Sequence, residues 1–261
     1  MSKLKRPALA LALALALATG VAIGPTPSHV LAGGGACNHG GNAASVGCRN
    51  NAQGDIYTGA FADWTNSNMS LDWYHYSHGY HINNEMWVYT SSDKQQFIEM
   101  GLRNGLAIGG DPCGDGICVA YELFWADWNG DGHEYSHFLA NATPDGSAHS
   151  YEMISRPASS IWDLYYDGNY RGTSTIELSG TANEVEVGLE LASTYNGDIG
   201  AWAHADTFDN YNLETRDTGG SWSFFPYINT WRDYPCGNVY SPPFCLNGNA
   251  PSTWEWMENK P

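Results

Sequence analysis

Short runs of alternating apolar and polar residues dominate the chain and predict β-strands. The predicted strands cover residues 83–90, 96–103, 119–128, 149–156, 160–166, 170–175 and 184–193. Clusters of Gly, Asn and Asp separate these strands at intervals of roughly ten residues, and helical periodicity is almost absent. Many short strands at this spacing predict an all-β protein in which two antiparallel sheets pack as a sandwich.

The clearest predicted hairpin follows residues 119–128, where a D-x-N-x-D-G segment precedes a return strand. Asn-Gly and Asp-Gly pairs are preferred in tight β-turns. The segment also matches the first half of a calcium loop, with oxygen ligands at Asp127, Asn129 and Asp131. The twelfth loop position is Phe138 instead of the usual Glu, so the turn is favoured over a calcium site and no cofactor is predicted.

Two of the predicted strands each carry a glutamate beside a glycine on the face opposite their apolar residues. Glu99 and Gly101 share one face of residues 96–103, and Glu190 lies on the polar face of residues 184–193. If the two strands lie in one sheet, both carboxylates face a common cleft, which is the minimum equipment for hydrolysis by general acid and base. A solvated acidic surface is the alternative, because Glu186 shares the face of Glu190.

Residues 1–32 predict a secretory signal peptide. Lys3, Lys5 and Arg6 precede a run of Ala and Leu, and small residues follow at the spacing of a cleavage site. The apolar run is too short to span a bilayer. We therefore expect a secreted, extracellular protein that carries no membrane anchor.

Two further segments complete the predicted organisation. Residues 33–60 are rich in Gly, Asn and Ala and predict an irregular N-terminal arm. Residues 61–261 predict one β-sandwich domain with an irregular, aromatic-rich C-terminal part. Six cysteines fall as three close pairs, and export favours their oxidation to local disulfides. The predicted pairs are Cys37/Cys48, Cys113/Cys118 and Cys236/Cys245.

The charge of the chain restricts its partners. The formal net charge is −17, and cleavage of the three basic residues of the leader makes it −20. Such a charge argues against nucleic acid and anionic membranes as partners. A polypeptide or a polysaccharide is the expected substrate.

The order of five segments resembles that of secreted glutamic peptidases, both the fungal acid type (eqolisins) and the neprosin type. The segments are Met86-Trp87-Val88, Glu99-Met100-Gly101, Glu122-Leu123-Phe124-Trp125-Ala126-Asp127, Trp162-Asp163-Leu164-Tyr165 and Val187-Gly188-Leu189-Glu190. This resemblance implies a concanavalin-like jelly-roll sandwich that cleaves peptide bonds at acid pH.

The resemblance also implies a set of site residues. The catalytic pair falls on Glu99 and Glu190, and substrate binding on Trp87, Trp125 and Tyr165. The first position of the pair is Glu here, where the fungal type has Gln.

The abundance of aromatic residues favours a second function. Tryptophans and tyrosines interleaved with acidic residues on a β-sandwich are typical of proteins that bind or cleave carbohydrates, and two glutamates on one sheet face also describe several glycosidases. The candidate rings are Trp125, Trp128, Trp162, Tyr165, Trp202, Trp222 and Trp231. A third alternative is a secreted interaction module that keeps the fold without catalysis.

Overall fold

The computed structural model is built from β-strands and turns. It describes residues 43–50, 56–72, 81–106, 119–129, 134–156, 158–192, 203–225, 229–231, 244–250 and 253–258. No helix in these ranges is long and apolar enough to cross a membrane.

Seventeen strands lie in the described part of the chain. They are β1 (Ala43–Asn50), β2 (Tyr57–Thr65), β3 (Met69–Leu71), β4 (His81–Tyr89), β5 (Phe97–Leu106), β6 (Val119–Trp128), β7 (Glu134–Asn141), β8 (Ala148–Ser155), β9 (Trp162–Tyr166), β10 (Asn169–Thr173), β11 (Glu184–Ala192), β12 (Ala203–Ala205), β13 (Phe208–Asp217), β14 (Trp222–Phe224), β15 (Asn229–Trp231), β16 (Phe244–Ala250) and β17 (Thr253–Glu258).

The described strands form two large sheets whose pairings are antiparallel. The first sheet has the order β15-β1-β11-β4-β5-β6-β7. The second has the order β10-β9-β8-β2-β13-β17-β16, with β14 paired to β13, and β3 and β12 form a small separate ribbon. This confirms the predicted all-β sandwich of two antiparallel sheets, including the hairpin of β6 and β7.

Alternation along the strands assigns one face of each sheet to the core, as predicted. On β11 the side chains of Val185, Val187 and Leu189 are fully buried within the core cluster. On β5 the residues Ile98 and Met100 are equally buried there. The glutamates of β5 and β11 consequently lie on the opposite face of the first sheet.

A buried polar link ties β4 to the second sheet. The indole Nε1 of Trp256 donates to Oδ1 of Asn84 at 2.7 Å, and Nδ2 of Asn84 donates to Oδ1 of Asn210 at 3.2 Å. All three residues are at most 1% exposed. Because buried amides need such partners, the link fixes the position of β4, the strand that proves central to the site.

Two parts of the chain are more regular than their composition predicts. Residues 43–50 of the predicted irregular arm form β1, which pairs with β11 on one side and β15 on the other. The aromatic-rich region after residue 200 supplies strands β12 to β17. Ladder hydrogen bonds to neighbouring strands hold these segments, and local composition does not reveal such pairing.

The described residues do not confirm the three predicted disulfides, which stay predictions. Each predicted pair has at least one member outside the described residues, and these members are Cys37, Cys113, Cys118 and Cys236. Cys48 corrects the expectation of an irregular arm, because it lies within β1, opposite Glu186 of β11 and Asn229 of β15. Cys245 is fully buried near the start of β16.

The predicted signal peptide, residues 1–32, also lies outside the described residues. It stays a prediction, as does the secretion that follows from it.

Candidate active site

The face of the first sheet that points away from the core carries a cluster of glutamates, and we call it the acidic face. Its glutamates on β4, β5, β6 and β11 are Glu85, Glu99, Glu122, Glu184, Glu186 and Glu190. Glu85, Glu122 and Glu186 are fully buried, and Glu99 is 7% exposed. The alternative of a solvated acidic surface is therefore wrong for Glu99 and Glu186.

The register of β11, β4 and β5 arranges this face in rows of cross-strand neighbours. One row contains Glu186, Trp87 and Glu99. The next contains Gly188, Glu85 and Gly101, and the third contains Glu190, Asn83 and Arg103. Glu85 therefore occupies the middle position of the middle row.

The predicted catalytic pair, Glu99 and Glu190, does not form by direct contact. The two residues lie on β5 and β11 with β4 between them, and their rows are four residues apart along the strands. Ideal strand spacing then separates their Cα atoms by about 16 Å. Glu85 lies between them and is the diagonal cross-strand neighbour of each, a relation that brings Cβ atoms to about 7–8 Å.

Asn83 joins Glu85 to Glu190. Its side-chain Nδ2 donates to Oε1 of Glu85 and to Oε2 of Glu190, each at 3.1 Å. Nε2 of His81 lies 3.7 Å from the same oxygen of Glu190. Glu190 is about 20% exposed, so this end of the cluster can be reached from solvent.

The environment of Glu85 favours its protonated form. Burial first, then the charges of Glu99 and Glu190, raise the pKa of Glu85 well above its ordinary value, and the amide of Asn83 opposes them only in part. The carboxyl groups of Glu85 and Glu190 both accept from Nδ2 of Asn83, and interaction with Glu190 adds to the rise in the pKa of Glu85. Oε2 of Glu85 is buried and accepts no hydrogen bond from a donor of the described residues. A proton bound at Oε2 would satisfy that oxygen.

Gly101 makes room for Glu85. A Cβ atom at position 101 would overlap the Cβ and Cα of Glu85 and the backbone oxygen of Asn84. Hydrogen is therefore the only substituent that lets β5 approach β4 at this point. Gly101 follows Glu99 closely in the sequence, but the residue it makes room for is Glu85 on the neighbouring strand.

A second cluster forms at the other end of β11, around the β4–β5 turn. Nζ of Lys94 lies 2.6 Å from Oε1 of Glu186 and 3.0 Å from Oε1 of Glu184. The hydroxyl of Tyr89 donates to Oε2 of Glu186 at 3.4 Å, and Lys94 lies 4.7 Å from the centre of the Tyr89 ring. Lys94 adopts a left-handed backbone conformation with φ of 59°, in a turn that Asp93 closes by accepting from the backbone N–H of Gln95.

Charge and burial compete in this second cluster. Burial raises the pKa of Glu186 to about 8, and Lys94 only partly offsets that shift. Burial acts in the opposite direction on Lys94, but Glu186 and Glu184 outweigh it and raise the pKa of the ammonium. This end of the face is an ion-paired cluster, in contrast to the carboxyl pair at the Glu190 end.

The three predicted substrate-binding aromatic residues do not lie together. Trp87 lies on the acidic face between Glu99 and Glu186, and it is 1% exposed. Trp125 belongs to the core cluster and stacks on His137, with ring centres 3.7 Å apart. Tyr165 lies on β9 of the second sheet. Of the three, only Trp87 can contribute to a site on the acidic face.

The calcium candidate Asp127 has a structural role in the described part of the chain. Its carboxylate accepts hydrogen bonds from the backbone and hydroxyl of Thr175 and from the backbone N–H of Ile176. Asn129 ends the described segment, and Asp131 lies outside the described residues. Within the described ranges, no group of three or more His, Cys, Asp or Glu side chains could hold a metal ion.

Sequence reasoning missed Glu85 and Asn83. Both lie in a segment whose apolar residues predict a strand. Asn83, Glu85 and Trp87 occupy alternate positions of that strand, and the tryptophan makes the polar character of this face less obvious. That alternation is a usable signal, because positions two apart in a strand share a face.

Solved structures with a similar fold include glutamic peptidases. Scytalido-glutamic peptidase bound to a peptide-based transition-state analogue aligns over 83% of this chain and 98% of its own, with a TM-score of 0.50 and 11% identity. A second structure of that peptidase with a transition-state analogue inhibitor aligns over 84% of this chain and 98% of its own, again with a TM-score of 0.50 and 11% identity.

A member of the eqolisin family in complex with the tripeptide Ala-Ile-His aligns over 83% of this chain and 98% of its own, with a TM-score of 0.47 and 10% identity. No family model matches the sequence, and a search of curated proteins gives no match. The resemblance to glutamic peptidases is therefore remote and holds for the fold.

Proposed function

We propose that the chain is a secreted hydrolase that cleaves peptide bonds at acid pH with a carboxyl pair formed by Glu85 and Glu190. The observation that carries the proposal is the bridge by Asn83, whose Nδ2 donates to both carboxyls at 3.1 Å. Glu99, on the far side of Glu85, contributes negative charge that keeps a proton on the pair. The fold shared with glutamic peptidases adds support.

The two carboxyls differ in a way that suits general acid–base catalysis. Glu190 is partly exposed, so in its ionised form it can remove a proton from a water molecule that attacks the scissile carbonyl. Glu85 is fully buried and retains its proton, so it acts on the substrate through Glu190, by setting how strongly Glu190 holds a proton. Glu190 then passes the proton that it took from water to the leaving amine, which restores the starting state.

The closeness of Glu85 and Glu190 favours peptide over glycan hydrolysis. Glycosidases separate their two carboxyls by roughly 5–5.5 Å for retention and 6.5–9.5 Å for inversion. Nδ2 of Asn83 lies 3.1 Å from an oxygen of each carboxyl here, so the space that a glycosidic bond would need between them is occupied. The two carboxyls resemble instead a pair with one shared proton, as in aspartic proteases.

The test is a proteolysis assay of the mature protein on a denatured protein between pH 2 and 7, with variants Glu190→Gln and Glu85→Gln. We expect Glu190→Gln to lose about 10²–10⁴-fold in rate, because it removes the base. In Glu85→Gln the side-chain amide is still a neutral hydrogen-bond donor but has no transferable proton. The residual activity of this variant should therefore no longer decline at higher pH.

The matched control for this assay is Glu152→Gln, on the second sheet, which should retain the wild-type rate and pH profile. Wild-type rates and profiles in both Glu190→Gln and Glu85→Gln would refute the carboxyl pair.

Glycan cleavage is the second candidate function, and the position of Glu99 favours it. Glu99 is the diagonal neighbour of Glu85, and the resulting Cβ separation of about 7–8 Å is near the carboxyl spacing of inverting glycosidases. Release of reducing sugar from a β-glucan, lost in Glu99→Gln and retained in Glu190→Gln, would establish this function in place of proteolysis.

A further inference from the structure

The outward face of the second sheet carries a row of aromatic and acidic residues that the proposed function does not use. Cross-strand pairing connects one residue from each of six strands into a continuous row. We call it the outer row, and its members in order are Tyr170, Tyr165, Glu152, Phe61, Glu214 and Phe224. The row crosses β10, β9, β8, β2, β13 and β14.

The alternation of each strand points these side chains away from the core. Phe61 lies between the fully buried Ala60 and Ala62, and Glu214 lies between the buried Leu213 and Thr215. At the two ends of the row, Tyr170 and Phe224 are each 56% exposed. Tyr165 and Phe61, between these ends, are partly exposed, so four rings of the row can be reached from solvent.

Neighbouring rings hold the row in place. Tyr165 and Tyr170 pack edge to face with ring centres 5.8 Å apart. Phe61 packs edge to face against Trp222 at 6.3 Å, and Trp222 lies beside Gly59, the cross-strand neighbour of Arg216. Because these pairs form within the free protein, a ligand need not order the rings on binding.

The spacing of the rings identifies the shape of the ligand. Tyr165, Phe61 and Phe224 lie on every second strand, so ideal sheet geometry separates them by about 9–10 Å. Two sugar residues of an extended β-linked glycan span a similar length and place the same sugar face on successive rings. A polypeptide strand repeats at a shorter interval and presents no flat apolar face at this period.

The residues between the rings identify the ligand's charge. Glu152 and Glu214 alternate with the rings, and Asp63 lies on the same face in an adjacent row. On that face Asp163 is paired with Arg156 at 2.7 Å, and Arg216 adds one positive charge, so acidic groups remain in excess. Carboxyl oxygens accept hydrogen bonds from sugar hydroxyls. Their negative charge, on a chain of net charge −17, repels an acidic polysaccharide.

We propose that the outer row is a binding site for an uncharged, extended β-linked polysaccharide, separate from the acidic face. The core of the sandwich lies between the two faces, so a bound glycan chain leaves the acidic face open. The site would hold the protein on a glycan-rich surface while the proposed hydrolysis takes place on the other sheet.

The test is binding of the full mature protein to soluble mixed-linkage β-glucan by affinity electrophoresis, with carboxymethylcellulose as the acidic comparison. We expect retardation by the neutral glucan and little by the acidic one. Phe224→Ala and Tyr165→Ala should each weaken binding on the order of tenfold, because each removes one stacking ring. Tyr165→Phe keeps the aromatic ring and should retain most of the wild-type binding.

Controls separate this site from the acidic face and from general damage. Ile56→Ala removes an exposed apolar side chain outside the row, 46% exposed, and should bind as wild type. Glu190→Gln should also bind as wild type, whether or not it abolishes hydrolysis. Thermal unfolding of each variant verifies that the fold is retained.

Three results would overturn the proposal. The first is no retardation of the wild type by any neutral glucan or xylan. The second is unchanged binding in the Tyr165→Ala/Phe224→Ala double variant. The third is a concentration-dependent dimer that Phe224→Ala abolishes, since the row would then be an interface between two copies of the chain.

Discussion

The two ends of β11 carry glutamates on the same face of the same sheet, four residues apart, and the protein treats them differently. At one end Glu186 lies 2.6 Å from the ammonium of Lys94. At the other end Glu190 and Glu85 both accept from the amide of Asn83. The first end places a lysine against a buried carboxyl, whereas the second joins two carboxyls through one amide.

The comparison shows which buried carboxyl is suited to chemistry. A neighbouring cation lowers the pKa of a carboxyl and holds it in one geometry. A carboxyl pair with one shared proton contains an acid and a base at once, so it can give and take a proton in a single cycle. This difference distinguishes Glu190 from Glu186 although their strand and face are identical.

The largest expected effect comes from placing a cation at the Glu190 end. In Asn83→Lys the ammonium would lie between Glu85 and Glu190 and lower the pKa of both, as Lys94 lowers that of Glu186. We expect the peptidase rate to fall by at least about 10²-fold. Asn83→Met supplies a chain of similar length without charge and should lose less. Equal rates in the two variants would show that charge at this position does not matter.

The next effect comes from closing the space around Glu85. Gly101→Ala places a methyl group against the Cβ of Glu85 and the backbone of β4, so the strands must separate. We expect a loss of about 1–3 kcal/mol in the free energy of unfolding, measured by urea denaturation, together with loss of activity. Gly172→Ala is the control, since its nearest neighbour is Trp125 Nε1 at 3.2 Å and a small shift suffices. A smaller cost at position 101 than at position 172 would contradict the tight contact.

A smaller effect comes from removing the cation at the ion-paired end. In Lys94→Met the pKa of Glu186 should rise further, because the group that partly offset its burial is gone. The loss in the free energy of unfolding should be under about 1 kcal/mol at pH 5, where Glu186 is protonated, and about 1–3 kcal/mol at pH 9. Chemical denaturation at both pH values measures it. A loss that does not grow with pH would contradict the role of Lys94.

The smallest effect is expected for Glu186→Gln, whose free energy of unfolding at pH 5 should lie within about 0.5 kcal/mol of the wild-type value. The folded pKa of Glu186, about 8, exceeds its ordinary value of 4.5, so its contribution to stability is complete in acid. That contribution is lost as the pH rises through about 8. The variant lacks this dependence, so its stability relative to wild type should increase between pH 5 and 9. A constant difference over that range would show that Glu186 does not titrate there.

Much of the fold is predictable from the sequence because the strands alternate strictly. The apolar faces of β5 and β11 specify which side packs into the core, and the turn chemistry after Asp127 specifies the β6–β7 hairpin. The strand at residues 43–50 is not predictable in this way. Its composition is typical of loops, and it becomes regular only because β11 and β15 lie on either side of it.

The site was predictable only in part, for a physical reason. Alternation places Glu99 and Glu190 on the polar faces of their strands, but it carries no information about which strand lies between them. The sheet order β11-β4-β5 and its register decide that Glu85 is the neighbour of both. The face on which Trp125 lies was not predictable either, because a tryptophan in a strand fits either face equally well.

The contact between Gly101 and Glu85 also limits how this chain can diverge. A Cβ atom at position 101 would overlap the backbone oxygen of Asn84 and the Cα of residue 85, so a smaller side chain at position 85 does not make room for it. Descendants that keep the present distance between β4 and β5 must keep the glycine, whatever residue replaces Glu85. Position 101 should therefore vary less among descendants than position 85.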